Sequence, residues 1–135
     1  MKLGLLTAPF PDTPLGEVVD WARSVGFEAL EIACWPKTSG DSRRYAGTSH
    51  IDAAGTSASQ ARDIAAELAG RGITISGLGF YPNPLHPDRA HREAVTDHLK
   101  KVIVLASRMG VPLVNTFCGG DPPSLIFPPV SVGPL

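Results

Sequence analysis

Polar and aromatic side chains that could do chemistry gather where short apolar segments of the chain end. Glu31 lies inside the second such segment, Tyr81, Asn83 and His86 follow the third, and Asn115 lies in the fourth. A carboxylate can bind hydroxyl groups or move a proton, and amide, phenol and imidazole groups can hydrogen-bond to a polyol. If the segments are parallel strands, these groups share the edge of the sheet at which ligands bind.

Each candidate has a functional and a structural interpretation. A carboxylate inside an apolar strand must find a partner or face a cavity, so Glu31 is either a substrate contact or acid–base group, or the partner of a buried arginine or backbone group. His50, in a long loop, and His86, just before a helix, are either ligand contacts or ordinary loop and cap residues. Asn115 could bind a sugar hydroxyl or satisfy the interior of a barrel.

The elements that must position these residues alternate regularly. The sequence predicts strands at residues 2–6, 29–33, 73–78 and 113–117, and helices that begin near Pro14, Ser57 and Pro87. Gly26, Gly72 and Gly110 are predicted to end the three helices. His91 and His98 fall on the third helix and are interpreted as surface groups.

Alternating strands and helices favour an α/β fold with a parallel sheet and right-handed crossovers. Two architectures fit: a small doubly wound sheet, and a partial (β/α)₈ TIM barrel with about four strands and three helices. A whole barrel needs about 250 residues. We therefore expect a half barrel over residues 1–121, followed by an irregular proline-rich tail over residues 122–135 that is interpreted as a truncated or frame-shifted end.

The amino-acid composition and net charge argue against several classes of function. The chain has 135 residues, of which 43% are apolar and 19% charged, with a net charge of -1. This balance predicts no nucleic-acid partner and no membrane association, and the default location is the cytoplasm. The sequence has no glycine-rich phosphate loop, no nucleophile elbow and no closely spaced metal-ligand pair.

Several segments together resemble the sugar phosphate isomerases and epimerases of the xylose-isomerase-like TIM barrel superfamily. The resemblance is carried by residues 81–85, 98–103 and 110–117, and the opening residues 2–6 and 26–32 fit the same family. It implies a barrel that isomerises or epimerises a sugar or sugar phosphate. Zinc-dependent endonucleases of the superfamily are set aside, because no histidine stands at residues 79–81 or 116–118.

The resemblance also implies a divalent metal, Mn²⁺, Mg²⁺ or Co²⁺, bound by acidic residues and a histidine on later strands of the barrel. No metal ligand is assigned in this chain, and its catalytic residues are unknown. The positions that could supply a substrate-binding wall are Glu31, His50, Tyr81, Asn83, His86 and Asn115. On its own, such a chain is expected to be weakly active or inactive.

Two other interpretations stay open. The chain could be a non-enzymatic half barrel that binds or assembles, forming a homodimer through the open edges of its sheet. It could also be a self-sufficient flavodoxin-like domain, which the missing phosphate loop disfavours.

Overall fold

The computed structural model describes residues 1–37 and 47–117. Strands and helices alternate as predicted. They follow in the order β1 (Gly4–Leu6), α1 (Leu15–Ser24), β2 (Ala29–Ala33), α2 (Ala58–Gly70), β3 (Thr74–Gly79), α3 (Arg89–Met109) and β4 (Val114–Asn115). The predicted tail at 122–135 and part of the long loop lie outside the described residues.

The four strands form one parallel sheet in the order β1-β2-β3-β4. This order advances in one direction and lacks the reversal that a doubly wound sheet needs. Because parallel crossovers are right-handed, three successive crossovers in one direction place all three helices on the same face. The opposite face, called the open face below, is the face that a TIM barrel turns inward.

A β-bulge fixes which side chains reach the open face. The pairing of β2 with β3 shifts between Leu30 and Glu31, after which Glu31 pairs with Gly77. Gly79 in turn pairs with Asn115 of β4. Because side chains alternate along a strand, Glu31 and Asn115 share the open face while their apolar neighbours turn toward the helices.

The hydrophobic core lies between the sheet and the helix layer. Its largest side chains, all with less than 2% exposure, are Phe80, Leu30, Ile32, Leu68, Leu78, Leu105, Val18, Val19 and Val102. They come from β2, from β3 and the residue directly after it, and from the apolar stripes of the three helices, as helical spacing predicts. The sheet is therefore held on one side only by the helix layer within the described residues.

Glycines end the helices as predicted. Gly26, Gly72 and Gly110 have φ angles of 94°, 75° and 69°, the left-handed region that glycine adopts without steric cost. The start of α2 is also as predicted: the Ser57 hydroxyl accepts from the Gln60 N–H, and the Gln60 side chain accepts from the Ser57 N–H. This capping box satisfies two backbone donors at the helix start.

Other helix starts differ from the prediction. Helix α1 begins at Leu15, directly after Pro14, and has no side-chain cap. Helix α3 begins at Arg89, two residues after Pro87, because the Asp88 carboxylate accepts from the His91 N–H and caps it there.

The prediction of a surface position for His98 is wrong. Its side chain is 7% exposed, and its Nε2 donates to the Cys34 carbonyl oxygen at 2.8 Å. The ring packs against Phe80, with 4.6 Å between centroids. The reason is helical spacing, since His98 falls three residues after Val95 and four before Val102, both of which are buried.

No helix in the described part of the chain has the length and apolar character needed to cross a membrane.

Candidate functional site

Three of the predicted residues meet on the open face. The Tyr81 hydroxyl donates to Oε1 of Glu31, and the Asn115 Nδ2 donates to Oε2 of the same carboxylate at 2.7 Å. All three side chains are half-buried. Glu31, Tyr81 and Asn115 are called the carboxylate cluster below, and they place one acceptor group and two oriented donors on a shared face.

Three strands and a glycine position the cluster. Glu31 comes from the middle of β2, Tyr81 follows β3, and Asn115 lies in β4. A Cβ placed on Gly79 would lie 2.5 Å from Oε1 of Glu31 and 3.1 Å from Cε2 of Tyr81. The missing side chain of Gly79 is therefore what lets the carboxylate and the phenol approach over β3.

Tyr81 acts as a donor in this cluster. Burial raises the pKa of its hydroxyl well above the usual range, the Glu31 carboxylate raises the pKa further, and a hydrogen bond with Asn115 partly offsets the rise. The phenol therefore stays protonated at neutral pH and cannot serve as a base. It is held between aromatic neighbours, with ring centroids 5.8 Å from Trp35 and 5.2 Å from Phe117.

His50 lies apart from the carboxylate cluster. Its Nε2 donates to the Thr13 carbonyl at 3.1 Å, and its backbone N–H donates to the Ala33 carbonyl. The Nδ1 atom is buried and has no hydrogen-bond partner. Burial lowers the pKa of His50, while hydrogen bonds to the backbone of Thr13 and Phe10 partly oppose that shift. His50 fastens the loop after β2 to the loop after β1.

Asn83 and His86 are both engaged in the turn that precedes α3. The Asn83 Oδ1 accepts from the Leu85 N–H at 2.9 Å, and the His86 Nδ1 accepts from the Asp88 N–H at 3.1 Å. In the neutral ring of His86 the proton therefore lies on Nε2. The structure gives both residues a local role, and their part in substrate binding stays a prediction.

Sequence reasoning missed Gly79 as a site residue. The signal was present in the pair Gly77 and Gly79, since glycine inside a strand often marks the close approach of another group. Trp35, two residues after β2, is 7% exposed and makes an edge contact with Phe80, with 5.9 Å between ring centroids. Its contact with Tyr81 nevertheless makes it a support for the cluster.

The described residues do not fit a metal centre. No group of three or more His, Cys, Asp or Glu side chains converges anywhere in residues 1–37 and 47–117. Both oxygens of Glu31 already accept hydrogen bonds. Burial raises the pKa of the Cys34 thiol to about 12, which leaves it unreactive, and Cys118 lies outside the described residues.

Comparison with known proteins identifies relatives of this arrangement. The family model described as xylose isomerase-like TIM barrel matches residues 19–131. No curated relative matches the chain at a significant level.

Three solved structures share the fold. The probable 3-DHS dehydratase AsbF of Bacillus anthracis, involved in petrobactin synthesis, has a TM-score of 0.59 and 17% identity, covering 88% of this chain and 39% of its own. A Rhodospirillum rubrum protein provisionally named a xylose isomerase has a TM-score of 0.60 and 20% identity, covering 90% and 40%. A D-psicose 3-epimerase crystallised with D-fructose has a TM-score of 0.59 and 16% identity, covering 86% and 37%. The chain thus spans about two fifths of their length.

The close approach at Gly79 predicts the effect of adding one methyl group. In the Gly79→Ala variant the new Cβ displaces the Glu31 carboxylate from its donors, and we expect a loss of about 1–3 kcal/mol in the free energy of unfolding. Urea denaturation followed by circular dichroism measures it. Gly70→Ala is the control, because a Cβ there meets nothing within 4 Å. Equal stability of Gly79→Ala and wild type would contradict the packing.

The half-buried imidazole of His50 predicts a pH dependence of stability. Because the folded state lowers the pKa of His50 below its unfolded value of about 6.5, the unfolded chain binds more protons as the pH falls. The stabilising contribution of the neutral His50 ring to the free energy of unfolding is fully present above the unfolded pKa, and it is lost as the pH falls below that pKa. Between pH 7.5 and 5, wild type should therefore lose more free energy of unfolding than His50→Gln. The exposed variant His91→Gln should behave like wild type, and identical pH profiles for wild type and His50→Gln would refute the assignment.

Proposed function

The chain belongs to the xylose isomerase-like TIM barrel family, and from that premise we propose that its open face is the substrate-binding wall of a sugar isomerase or epimerase. The observation that carries this proposal is the carboxylate cluster. Glu31 hydrogen-bonds to Tyr81, which follows β3, and to Asn115, the last residue of β4, so its carboxylate lies toward the carboxyl ends of the strands, where TIM barrels bind their ligands.

The cluster supports sugar binding through hydrogen bonds and aromatic surface. Each oxygen of a carboxylate can accept about two hydrogen bonds. Tyr81 and Asn115 provide one hydrogen bond to each oxygen of Glu31, which leaves about one acceptor position on each. Two adjacent hydroxyl groups can therefore donate to the same carboxylate. Tyr81 and the 59% exposed Phe117 offer ring surface beside it, against which the C–H groups of a sugar can pack.

The chemical step calls for groups beyond this cluster. Tyr81 is held protonated, and Glu31 is engaged by two donors, so the cluster binds and orients a substrate but moves no proton in this proposal. The divalent metal of the family stays a prediction, since the described residues do not form its ligand set. Little catalytic turnover is therefore expected from the residues described. The cytoplasmic location of the protein also stays a prediction.

A second candidate is assembly with another copy of the chain, and the exposed sheet edges favour it. In the described part of the chain, β1 and β4 each pair on one side only. Leu3, directly before β1, is 57% exposed, and Leu113, directly before β4, is 49% exposed. Two parallel edges flanked by exposed leucines could pair, β4 of one copy with β1 of the other.

Sugar binding at the open face predicts a specific footprint. On titration with D-fructose, we expect backbone amide shifts in NMR spectra at Glu31, Tyr81 and Asn115. A groove of about 430 Å³ at the amino ends of the strands, which includes Lys2 and Thr74 in its lining, should stay unchanged.

Removal of the Glu31 side chain should weaken this binding at least tenfold, because a hydrogen bond to a charged group contributes about 1.5–3 kcal/mol. The matched control is Glu28→Ala, which removes an exposed carboxylate before the amino end of β2. Shifts confined to the amino-end groove, or equal affinity of the Glu31→Ala and Glu28→Ala variants, would contradict the proposal.

Assembly through the edges predicts a dimer that one charge disrupts. Wild type should sediment as a dimer and Leu113→Lys as a monomer. The reason is that the charged lysine side chain would have to lose its water when β4 pairs with the other copy. The control Leu85→Lys changes an equally exposed loop residue and should stay dimeric. Analytical ultracentrifugation measures all three, and a monomeric wild type excludes this candidate.

A further inference from the structure

We propose that the carboxylate cluster selects an uncharged polyol over the corresponding phosphate ester. This inference rests on the proposed function, namely that a sugar binds to the open face. It adds a statement about charge that the fold does not decide, because barrels of one architecture bind both kinds of ligand.

The first argument is the balance of donors and acceptors in the cluster. The strongest donors, the Tyr81 hydroxyl and the Asn115 amide, are already directed at Glu31. What the cluster offers outward is therefore mainly the remaining acceptor positions of the carboxylate. A sugar hydroxyl can donate to them at any position, whereas the position that carries the phosphate group of an ester presents mainly acceptor oxygens.

The second argument is charge. The ion pairs among the described residues join Arg71 to Asp20 and Glu67, Arg89 to Glu93, and Lys100 to Asp97. None of them involves Glu31, so no lysine, arginine or histidine nitrogen of the described chain lies within 4.0 Å of its carboxylate. A phosphate carries about -1.5 to -2 charge at neutral pH, and among the described residues it would meet no cation within 4.0 Å of this carboxylate to offset the repulsion.

The third argument is the surface around the cluster. Phe117 is 59% exposed and packs against Tyr81 with 5.2 Å between ring centroids, so exposed apolar ring surface lies beside the cluster, while the 7% exposed Trp35 supports Tyr81 at 5.8 Å. The C–H faces of an uncharged sugar can pack against apolar surface. A phosphate that binds there loses water, and apolar surface offers it no hydrogen bonds in return.

The test compares D-fructose with D-fructose 6-phosphate on the full chain. Trp35 contacts Tyr81, and replacing Trp21 by phenylalanine leaves Trp35 as the single tryptophan reporter, since the chain has two. Fluorescence titration of this variant at low salt should give at least tenfold weaker binding for the phosphate ester. At 0.5 M salt the difference should shrink, because screening shortens the range of charge repulsion.

The variant Glu31→Gln, in the same background, keeps the size of the side chain and removes its charge. It should bind the two probes with a ratio below threefold, while Glu28→Gln should keep the ratio of the parent. If Glu31→Gln does not fold or bind, the salt dependence of the parent decides the question. A ratio that persists at high salt then overturns the proposal.

The outcomes separate this inference from the function on which it rests. Binding of D-fructose with equal or tighter binding of the phosphate ester overturns the selectivity and leaves the sugar-binding wall standing. A ratio that persists in Glu31→Gln overturns the role of its charge. If neither D-fructose nor D-fructose 6-phosphate changes the fluorescence of Trp35, and no backbone amide of the cluster shifts, both proposals are overturned.

Discussion

The carboxylate of Glu31 sits within a strand of the sheet, on the open face, and the arrangement around it depends on satisfying that charge. A carboxylate removed from water without hydrogen bonds would be strongly destabilising. Here two neutral donors replace the water, one from the end of β3 and one from β4. The absence of a Cβ at Gly79 leaves the space in which they meet. One charged group thus ties together the three consecutive strands β2, β3 and β4.

The local features of the fold could be predicted from the sequence because each rests on neighbouring residues. The glycines that end the helices, the capping box at Ser57 and the alternation of strands and helices all have short-range signals. The cluster does not, since Tyr81 and Asn115 lie 50 and 84 positions from Glu31 along the chain. Their meeting depends on a β-bulge between Leu30 and Glu31, for which Gly77, the partner of Glu31, is only a weak sequence signal.

Of the six residues predicted to line a substrate wall, the structure brings three together. Asn83 and His86 instead hydrogen-bond to backbone groups of their own turn, and His50 hydrogen-bonds to the Thr13 carbonyl of the loop after β1. The misassigned His98 shows the opposite limit: its helical spacing pointed inward, but its polar ring suggested the surface. Helical spacing was the better guide to its burial, because the Cys34 carbonyl accepts a hydrogen bond from the ring.

The hydrogen bond from His98 to the Cys34 carbonyl links parts of the molecule that are not neighbours in the sheet order. It reaches from α3, the helix that follows β3, past that strand to the residue directly after β2. The next residue along is Trp35, whose ring supports Tyr81. We therefore expect a change in the tilt of α3 to reach the aromatic side of the carboxylate cluster through Cys34 and Trp35. One hydrogen bond and one ring contact thus connect the outer helix layer with the open face, and substitutions in that layer are expected to alter the cluster.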